Sequence, residues 1–134
     1  MDISCFDDLL AAARAQSEPQ RLLFVFTRAE LPDDATAEQR AGFASGQGGA
    51  LVPAVCVDKG LDEIPSFAAF VEESLQFSLD WVVVFAATIS GHDGKAPTTA
   101  DAEGPLNQMV AAIKAGTVSS FIPFNNRGEA VQLG

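Results

Sequence analysis

Basic residues, cysteine and histidine are scarce in this chain, and each shortage excludes a class of function. The 134 residues include 8 Lys and Arg against 18 Asp and Glu, with one His, two Cys and no Tyr. The formal net charge of −10 repels nucleic acid and anionic membranes, because both need a concentrated basic face. One His and two separated Cys cannot complete a zinc tetrad, and the acidic residues lack calcium-loop spacing. We therefore expect no nucleic acid, no membrane, no metal and no cofactor.

A long apolar run and a basic leader are also missing. The longest apolar run, residues 81–87, is far shorter than the roughly 20 residues that span a bilayer. The N-terminus has early acids and no basic region, so it does not read as a secretory signal. Cys5 and Cys56 form no CxxC pair and are typical of buried thiols in a reducing cytosol, although a bridge between them stays open as the minor alternative. We expect a cytoplasmic protein.

The apolar content is high enough for a packed core. Hydrophobic residues make up 48% of the chain, and its ten Phe bring apolar area without a polar atom to satisfy. A chain of this length builds one core, so we expect a single α/β (α+β) domain over residues 1–134. Phe43 and Phe77 fall outside the clear apolar stripes and would mark a partner surface if exposed.

Apolar periodicity gives the order of the elements. It predicts about five strands, over residues 22–26, 50–57, 81–87, 118–124 and 129–133. It predicts three to four helices, over residues 5–16, from a Thr36 and Gln39 cap to about Phe43, from Asp62 or Ile64 to about Leu75, and from Pro105 to Ala115. Turn residues at 46–49 and 125–128 separate neighbouring elements.

The predicted architecture depends on two apolar segments, 22–26 and 81–87. Their length and composition favour strands buried on both faces, lying side by side at the centre of the sheet between helical layers. Pro53 cannot donate to a ladder, so the strand over 50–57 lies at an edge or carries a bulge. The last two strands form an antiparallel hairpin, which makes the sheet mixed. The direction of strand 50–57 relative to strand 22–26 stays open.

The loop after strand 81–87 contains the candidate chemistry. His92, the only histidine, stands there beside Asp93. Parallel strands would bring this loop and Asp58 to the same carboxyl edge, where α/β sheets bind ligands. His92 is then a candidate general base oriented by Asp93 or Asp58. The alternative is an ordinary solvated turn, which contains the same residue types.

The same edge offers candidates for holding an anion. They are the cations and the hydroxyl near the predicted strand ends: Arg28, Lys59, Ser90 and Lys95. The glycines at 46–49 are not a phosphate cradle, because they precede a strand and no GK[ST] follows them.

Several segments resemble a group of small, mainly proteobacterial proteins of unknown function. The shared segments are Phe6-Asp7-Asp8-Leu9-Leu10, Leu22-Leu23-Phe24-Val25-Phe26, Glu30-Leu31-Pro32-Asp33-Asp34, Gly48-Gly49-Ala50-Leu51, Cys56-Val57-Asp58-Lys59 and Val71-Glu72-Glu73-Ser74. Members of this group often carry the label of a ribonucleotide reductase alpha subunit. That activity is rejected here, since such an enzyme is a large barrel that needs several cysteines.

The element order is also similar to the amino-terminal domain of the enhanced serine sensitivity family. The shared features are a helix, a strand, a Gly-preceded strand with Val52-Pro53, and then helix, strand and helix. Neither resemblance implies a catalytic residue.

The sequence therefore leaves two hypotheses for the function of the protein. The first is a non-enzymatic interaction or regulatory domain that forms a homodimer through edge strands, since the sequence shows no catalytic constellation. The second is a binding protein for a small anionic molecule, or a minor enzyme, that uses the loop at 90–95. A concave pocket at the sheet edge would favour the second.

Overall fold

The computed structural model describes most of the chain. The described residues are 3–30, 36–44, 50–64, 66–74, 81–115, 117–118, 120–125 and 127–131. The elements in chain order are α1 (Phe6–Arg14), β1 (Gln20–Glu30), α2 (Ala37–Ala44), β2 (Ala50–Gly60), a 3-10 turn (Leu61–Glu63), α3 (Phe67–Ser74), β3 (Val83–Ser90), α4 (Thr99–Ala115) and β4 (Ile122–Phe124). The turn at 46–49, the side chain of Phe43 and residue Phe77 lie outside what is described. No helix within these ranges is long and apolar enough to cross a membrane.

The two strands expected at the centre of the sheet are its two central strands. The sheet has the order β2-β1-β3-β4, and β1 pairs with β3 along eight residues of each, from Gln20 opposite Ser90 to Thr27 opposite Val83. β1 extends beyond the predicted residues 22–26 at both ends, whereas β3 begins two residues later and ends three residues later than the predicted 81–87. Ladder hydrogen bonds continue through polar residues that an apolar run does not include.

The strand direction that the sequence left open is antiparallel. β1 pairs with both β2 and β3 in antiparallel fashion, and β3 does so with β4. The expected mixed sheet is therefore wrong for the described strands. A parallel connection needs a crossover layer packed on the sheet. The described side chains of α2, at residues 37–41, are instead exposed, so α2 belongs to a hairpin connection.

Alternate residues of β1 belong to two hydrophobic cores. Leu22, Phe24 and Phe26 join the core under α1 and α3, whereas Leu23 and Val25 join the core under α4. Successive strand residues point to opposite faces, so this continuous apolar run is buried on both sides. We refer to the two sides as the α1 face and the α4 face of the sheet.

Phenylalanines fill the core on the α1 face. The ring of Phe6 is almost fully buried, and its centroid lies 5.0 Å from those of Phe67 and Phe70, 5.5 Å from that of Phe124 and 5.7 Å from that of Phe24. These spacings are typical of favourable aromatic pairs. Phe6, which opens α1, thereby joins α3, β1 and β4.

The two alternatives expected from Pro53, an edge strand or a bulge, are both observed. β2 is an edge strand, and its register with β1 shifts between Phe26 and Thr27, where Val55 and Pro53 are the successive partners. Ala54 is thereby left outside the pairing. A bulge at this point accommodates a residue that has no N–H to donate.

The fourth helix begins six residues earlier than expected. The sequence predicted a helix with its body from about Pro105 to Ala115, but α4 starts at Thr99 and contains Pro105 in its interior. The backbone N–H of Asp101 donates to Oγ1 of Thr98 at 3.2 Å, and that of Thr98 donates to Oδ2 of Asp101 at 2.9 Å. This capping box starts the helix, and Pro105 removes a single backbone donor from its interior.

The C-terminal hairpin is present only in part. The N–H of Gly128 donates to the carbonyl of Asn125 at 3.1 Å, which forms the expected turn. β4 has three residues instead of the expected seven, and the return strand appears as isolated bridges from Ala130 to Phe124 and from Glu129 to Cys5. Four strands and four α-helices are therefore observed in the described part of the chain.

Candidate functional site

Antiparallel pairing divides the predicted site residues between two ends of the sheet. Ser90 lies opposite Gln20, and Gly60 lies opposite Arg21, so the ends of β2 and β3 meet the start of β1. Asp58, Lys59, Ser90 and the turn at 92–95 are therefore near one edge. Arg28 is seven residues beyond Arg21 on β1, roughly 23 Å away at 3.3 Å per residue. Arg28 was grouped with the other candidates because parallel strands would bring it to the same edge, and the observed strands are antiparallel.

Whereas the sequence predicted Arg28 near Asp58, the arginine next to that carboxylate is Arg21. Its Nε donates to Oδ2 of Asp58 at 2.7 Å, and its Nη2 donates to Oγ1 of Thr99 at 2.9 Å. Arg21 and Asp58 are both largely buried on the α4 face. This arrangement ties the end of β2 and the start of β1 to the first residue of α4.

Asp58 is held in its charged form. Burial alone would raise its pKa, but hydrogen bonds from Arg21 and Thr99, together with the charge of Arg21, outweigh that effect, and the pKa is lowered. A carboxylate already satisfied in this way is a structural ion-pair partner. It does not orient a base elsewhere.

Lys59 lies on the other face of the sheet from Asp58. Its Nζ forms a short ion pair with Oε1 of Glu73 in α3. The two neighbours therefore do not act together, because adjacent strand residues point to opposite faces.

The segment with the only histidine is a two-residue hairpin turn. The N–H of His92 donates to the carbonyl of Lys95 at 3.1 Å, and the N–H of Lys95 donates back at 2.9 Å. The central residues have positive φ, 54° at Asp93 and 76° at Gly94. These values match a type I′ turn, for which Asp-Gly is a favoured pair.

The segment 15–19 before β1 fixes this turn. The N–H of Gly91 donates to the carbonyl of Pro19 at 2.8 Å, and the N–H of Gly94 donates to Oε2 of Glu18 at 3.0 Å. A Cβ on Gly91 would come within 1.9 Å of the Lys95 carbonyl oxygen, so the chain needs glycine there for close approach.

A cleft of about 570 Å³ lies between this turn and the start of α4. It is lined by Ser90, His92, Asp93 and Lys95 from the strand end and turn, and by Asp101 from the helix. Hydrogen bonds from Thr98 lower the pKa of Asp101, and the charge of His92 adds to that effect. His92 and Asp101 thus line the same cleft, whereas Asp58 and Arg21 do not line it.

The described residues hold no group of three or more His, Cys, Asp or Glu side chains that could bind a metal ion. Both cysteines are free thiols. The expectation that both are buried is wrong for Cys56, which is exposed on the edge strand, whereas Cys5 is half-buried. Partial desolvation still raises the pKa of the Cys56 thiol, which disfavours the reactive thiolate.

Three features of this edge were missed from the sequence. Arg21 and Gln20 stand before the apolar run that identified β1, and nothing in their local pattern marks them as part of the strand. The spacing of Thr98 and Asp101 could have been recognised, because a hydroxyl residue followed three positions later by an acid is a capping signal. The Asp93-Gly94 pair could likewise have identified the hairpin turn.

Comparison of the chain with models of protein families, with curated proteins and with solved structures finds no match.

Proposed function

We propose that this protein is a non-enzymatic interaction domain that forms a homodimer by pairing the β2 strands of two copies. The observation that carries the proposal is the exposed edge of β2. This strand has eleven residues, and among the described strands it pairs only with β1. Its outer row of backbone donors and acceptors is thus available to another strand.

The composition of β2 favours a second copy of the chain as the partner. Residues 51–57 contain no charged side chain, whereas natural edge strands are usually protected by charges, by short length or by distortion. The bulge at Pro53 protects the first part of the strand only. An antiparallel pair of identical edges satisfies the same backbone groups on both copies and closes after two subunits.

Light scattering after gel filtration tests the proposal. We expect a mass of about 28 kDa at micromolar concentration, twice the 14.0 kDa of one chain. Cys56→Lys introduces a charge on the exposed part of β2 and should give the monomer. Ala11→Lys, at an exposed position of α1 away from the edge, is the matched control and should remain dimeric.

Two results would overturn the dimer. One is a monomeric native protein at these concentrations. The other is a Cys56→Lys variant that keeps the native circular dichroism spectrum and the dimer mass, because a charge on the paired edges would then be without effect.

The cleft beside the turn supports a second candidate function, binding of a small anion. Its volume lies in the range of ligand pockets, and it has the cation of Lys95 and the imidazole of His92 on its wall. Ser90 adds a hydroxyl. Of the anion-binding residues expected from the sequence, Ser90 and Lys95 line this cleft, and Arg28 and Lys59 do not.

Titration with inorganic phosphate, followed through the NMR signals of the His92 ring, tests this second function. Lys95→Gln should abolish a saturable shift, and Lys114→Gln, at an exposed lysine in the last turn of α4, should not. Equal responses in the two variants would show that phosphate acts only through general charge screening.

Four expectations from the sequence remain part of the proposal. They are the single domain over 1–134, the cytoplasmic location, the fifth strand over 129–133 and the membership in the group of small bacterial proteins. The last of these rests on the sequence segments quoted for that group.

A further inference from the structure

The side chains of β2 change faces at its bulge. Before the bulge, Leu51 packs against the core on the α4 face, and Pro53 is opposite Thr27, two residues beyond Val25 of the same core. After the bulge, Val55 packs against the core on the α1 face. Odd-numbered residues of β2 therefore face the α4 side before the bulge and the α1 side after it, because the bulge inserts one residue into the alternation.

The part of β2 after the bulge combines an uncharged segment with a charged end. Val55 and Val57 lie on the α1 face and are half-buried, whereas Cys56 lies on the α4 face and is exposed. The strand then continues with Asp58, which is bonded to β1, and Lys59, which is ion-paired with α3. An uncharged partner strand is thus accepted best at the first three of these residues.

Symmetry restricts how two copies of β2 can pair. Two antiparallel copies of one strand are related by a two-fold axis perpendicular to the sheet, so each face of one protomer continues into the same face of its partner. Residues that lie opposite each other must then be on the same face. A register centred on Val55 would set Pro53 opposite Val57, and these two residues are on different faces.

The position of the axis is restricted from both sides. A register confined to the residues before the bulge includes Pro53, which has no N–H to donate to a partner strand. An axis at Asp58 would set two carboxylates opposite each other, and like charges in that position are destabilising. The remaining positions for the axis are Cys56 and Val57.

An axis at Val57 sets charged side chains against apolar ones. Lys59 would lie opposite Val55 of the partner, and Asp58 would lie opposite Cys56 of the partner. Both charged groups are largely buried and already have a partner within their own chain. Covering them further would remove water without adding a counter-charge, which is unfavourable.

An axis at Cys56 pairs apolar residues with each other. Val55 lies opposite Val57 of the partner, and the symmetry repeats this contact on the other side of the axis. β-Branched side chains are favourable neighbours across antiparallel strands. Asp58 then lies opposite the exposed Ala54 of the partner, at the end of the paired segment, where water still reaches it.

We propose that two copies of β2 pair about a two-fold axis at Cys56, with Val55 of each protomer against Val57 of its partner. The inference rests on the dimer proposed above and identifies the surface that each copy presents to the other. The valine contacts join the cores on the α1 faces of the two protomers. On the α4 face, the two Cys56 side chains lie opposite each other.

Disulfide formation measures this register directly. Residues directly opposite have Cβ atoms about 4.5–5.5 Å apart, close to the roughly 3.5–4.5 Å of a disulfide, whereas diagonal neighbours are about 7–8 Å apart. Cys5→Ser removes the other thiol, and serine suits the helix N-cap position that Cys5 occupies. Diamide is the oxidant: the two thiols lose their hydrogens as the S–S bond forms, and the N=N bond of diamide takes up both hydrogens.

Three chains, each with a single cysteine, are compared on a non-reducing gel. The first has Cys5→Ser alone and keeps Cys56. The second adds Cys56→Ser and Val57→Cys, and the third adds Cys56→Ser and Ala54→Cys. A cysteine at these positions is a small apolar side chain that the fold accepts. Ala54 is exposed like Cys56, so the third chain is the matched control for access of the oxidant.

The chain that keeps Cys56 should yield at least about fivefold more covalent dimer than either of the others. In the register centred on Cys56, the two residues at position 54 are offset by about 13 Å along the strands, at 3.3 Å per residue. The two residues at position 57 are diagonal neighbours. Neither pair is within reach of a disulfide.

Light scattering of the same chains under reducing conditions separates this inference from the proposed function. A monomer mass for the chain that keeps Cys56 would overturn both the dimer and its register. A dimer that cross-links through Val57→Cys and not through Cys56 would place the axis at Val57. A dimer that cross-links equally well through Ala54→Cys, or through none of the three cysteines, would also overturn the register, while the dimer itself would stand.

Discussion

Gly91 provides the sharpest test of the turn that follows β3. In Gly91→Ala the new Cβ would lie 1.9 Å from the carbonyl oxygen and 2.8 Å from the carbonyl carbon of Lys95. An ordinary carbon–oxygen contact is about 3.3 Å, so the backbone would have to move by about 1.4 Å. The atoms that it meets belong to the backbone, and no side-chain rotation relieves the clash.

The cost can be estimated from the bonds that this movement disturbs. Overpacking in a buried site costs about 1–3 kcal/mol, and the loss of the hydrogen bond from Gly91 to Pro19 adds about 1 kcal/mol. We therefore expect Gly91→Ala to lower the free energy of unfolding by about 2–4 kcal/mol, a large part of the roughly 5–15 kcal/mol typical of a domain. The melting temperature should fall on the order of 10 °C.

Gly94→Ala is the matched control, because it adds the same methyl group to the same turn. Nothing lies within 4 Å of the new Cβ, and only the φ of 76° opposes it. The expected cost is about 1 kcal/mol. Urea unfolding followed by the fluorescence of Trp81, the only tryptophan and a buried one, measures both variants. If the two variants had the same free energy of unfolding, the close approach of Gly91 and Lys95 would be refuted.

Two further substitutions test buried polar contacts. Ser74→Ala removes the Oγ that accepts a hydrogen bond from Nε1 of the buried Trp81 at 2.9 Å. The substitution should lower the free energy of unfolding, measured in urea, by about 1–3 kcal/mol. An unchanged urea midpoint would contradict the contact. Asp58→Asn tests the lowered pKa of Asp58. Because the pKa is lower in the folded protein than the value of 3.8 in the unfolded chain, the carboxylate stabilises the fold above pH 3.8. That stabilisation is lost as the pH falls through the pKa of the folded protein. Acid unfolding of Asp58→Asn should therefore be less steep below about pH 4 than that of the native protein, and identical acid limbs would contradict the role of the Arg21 ion pair.

The sequence was sufficient where a pattern is local and strong. The apolar runs of β1 and β3 identified the central strands, and Pro53 indicated an edge strand or a bulge, both of which β2 has. Thr36 and Gln39 were expected to cap α2. In the structure the N–H of Gln39 donates to Oγ1 of Thr36 at 3.1 Å, and the N–H of Thr36 donates to Oε1 of Gln39 at 2.9 Å. Each of these features depends on residues close together in the chain.

Strand direction could not be read in the same way, and the candidate site depended on it. The segment between β1 and β2 is long enough for a crossover or for a hairpin, and its short helix is compatible with either. Reversing β2 relative to a parallel arrangement moves its last residues to the start of β1. Arg21 then reaches Asp58, and Arg28 does not. The site residues were placed on plausible strand ends, but the pairing decides which ends meet.

The position of Ser90 explains why the same strand end borders two different cavities. Ser90 lines both the cleft beside the turn and a second cavity of about 420 Å³ between α1 and β3, and its hydroxyl accepts from Gln20. Glu18 connects the two sides, because its carbonyl binds the amide of Gln20 and its carboxylate binds the turn at Gly94. The cleft has ionisable groups on its wall, whereas no charged side chain among the described residues lines the second cavity. A charged ligand that gives up part of its hydration can gain a counter-charge only in the cleft, so we expect a small ion to prefer the cleft to the second cavity, even though the two share the side chain of Ser90.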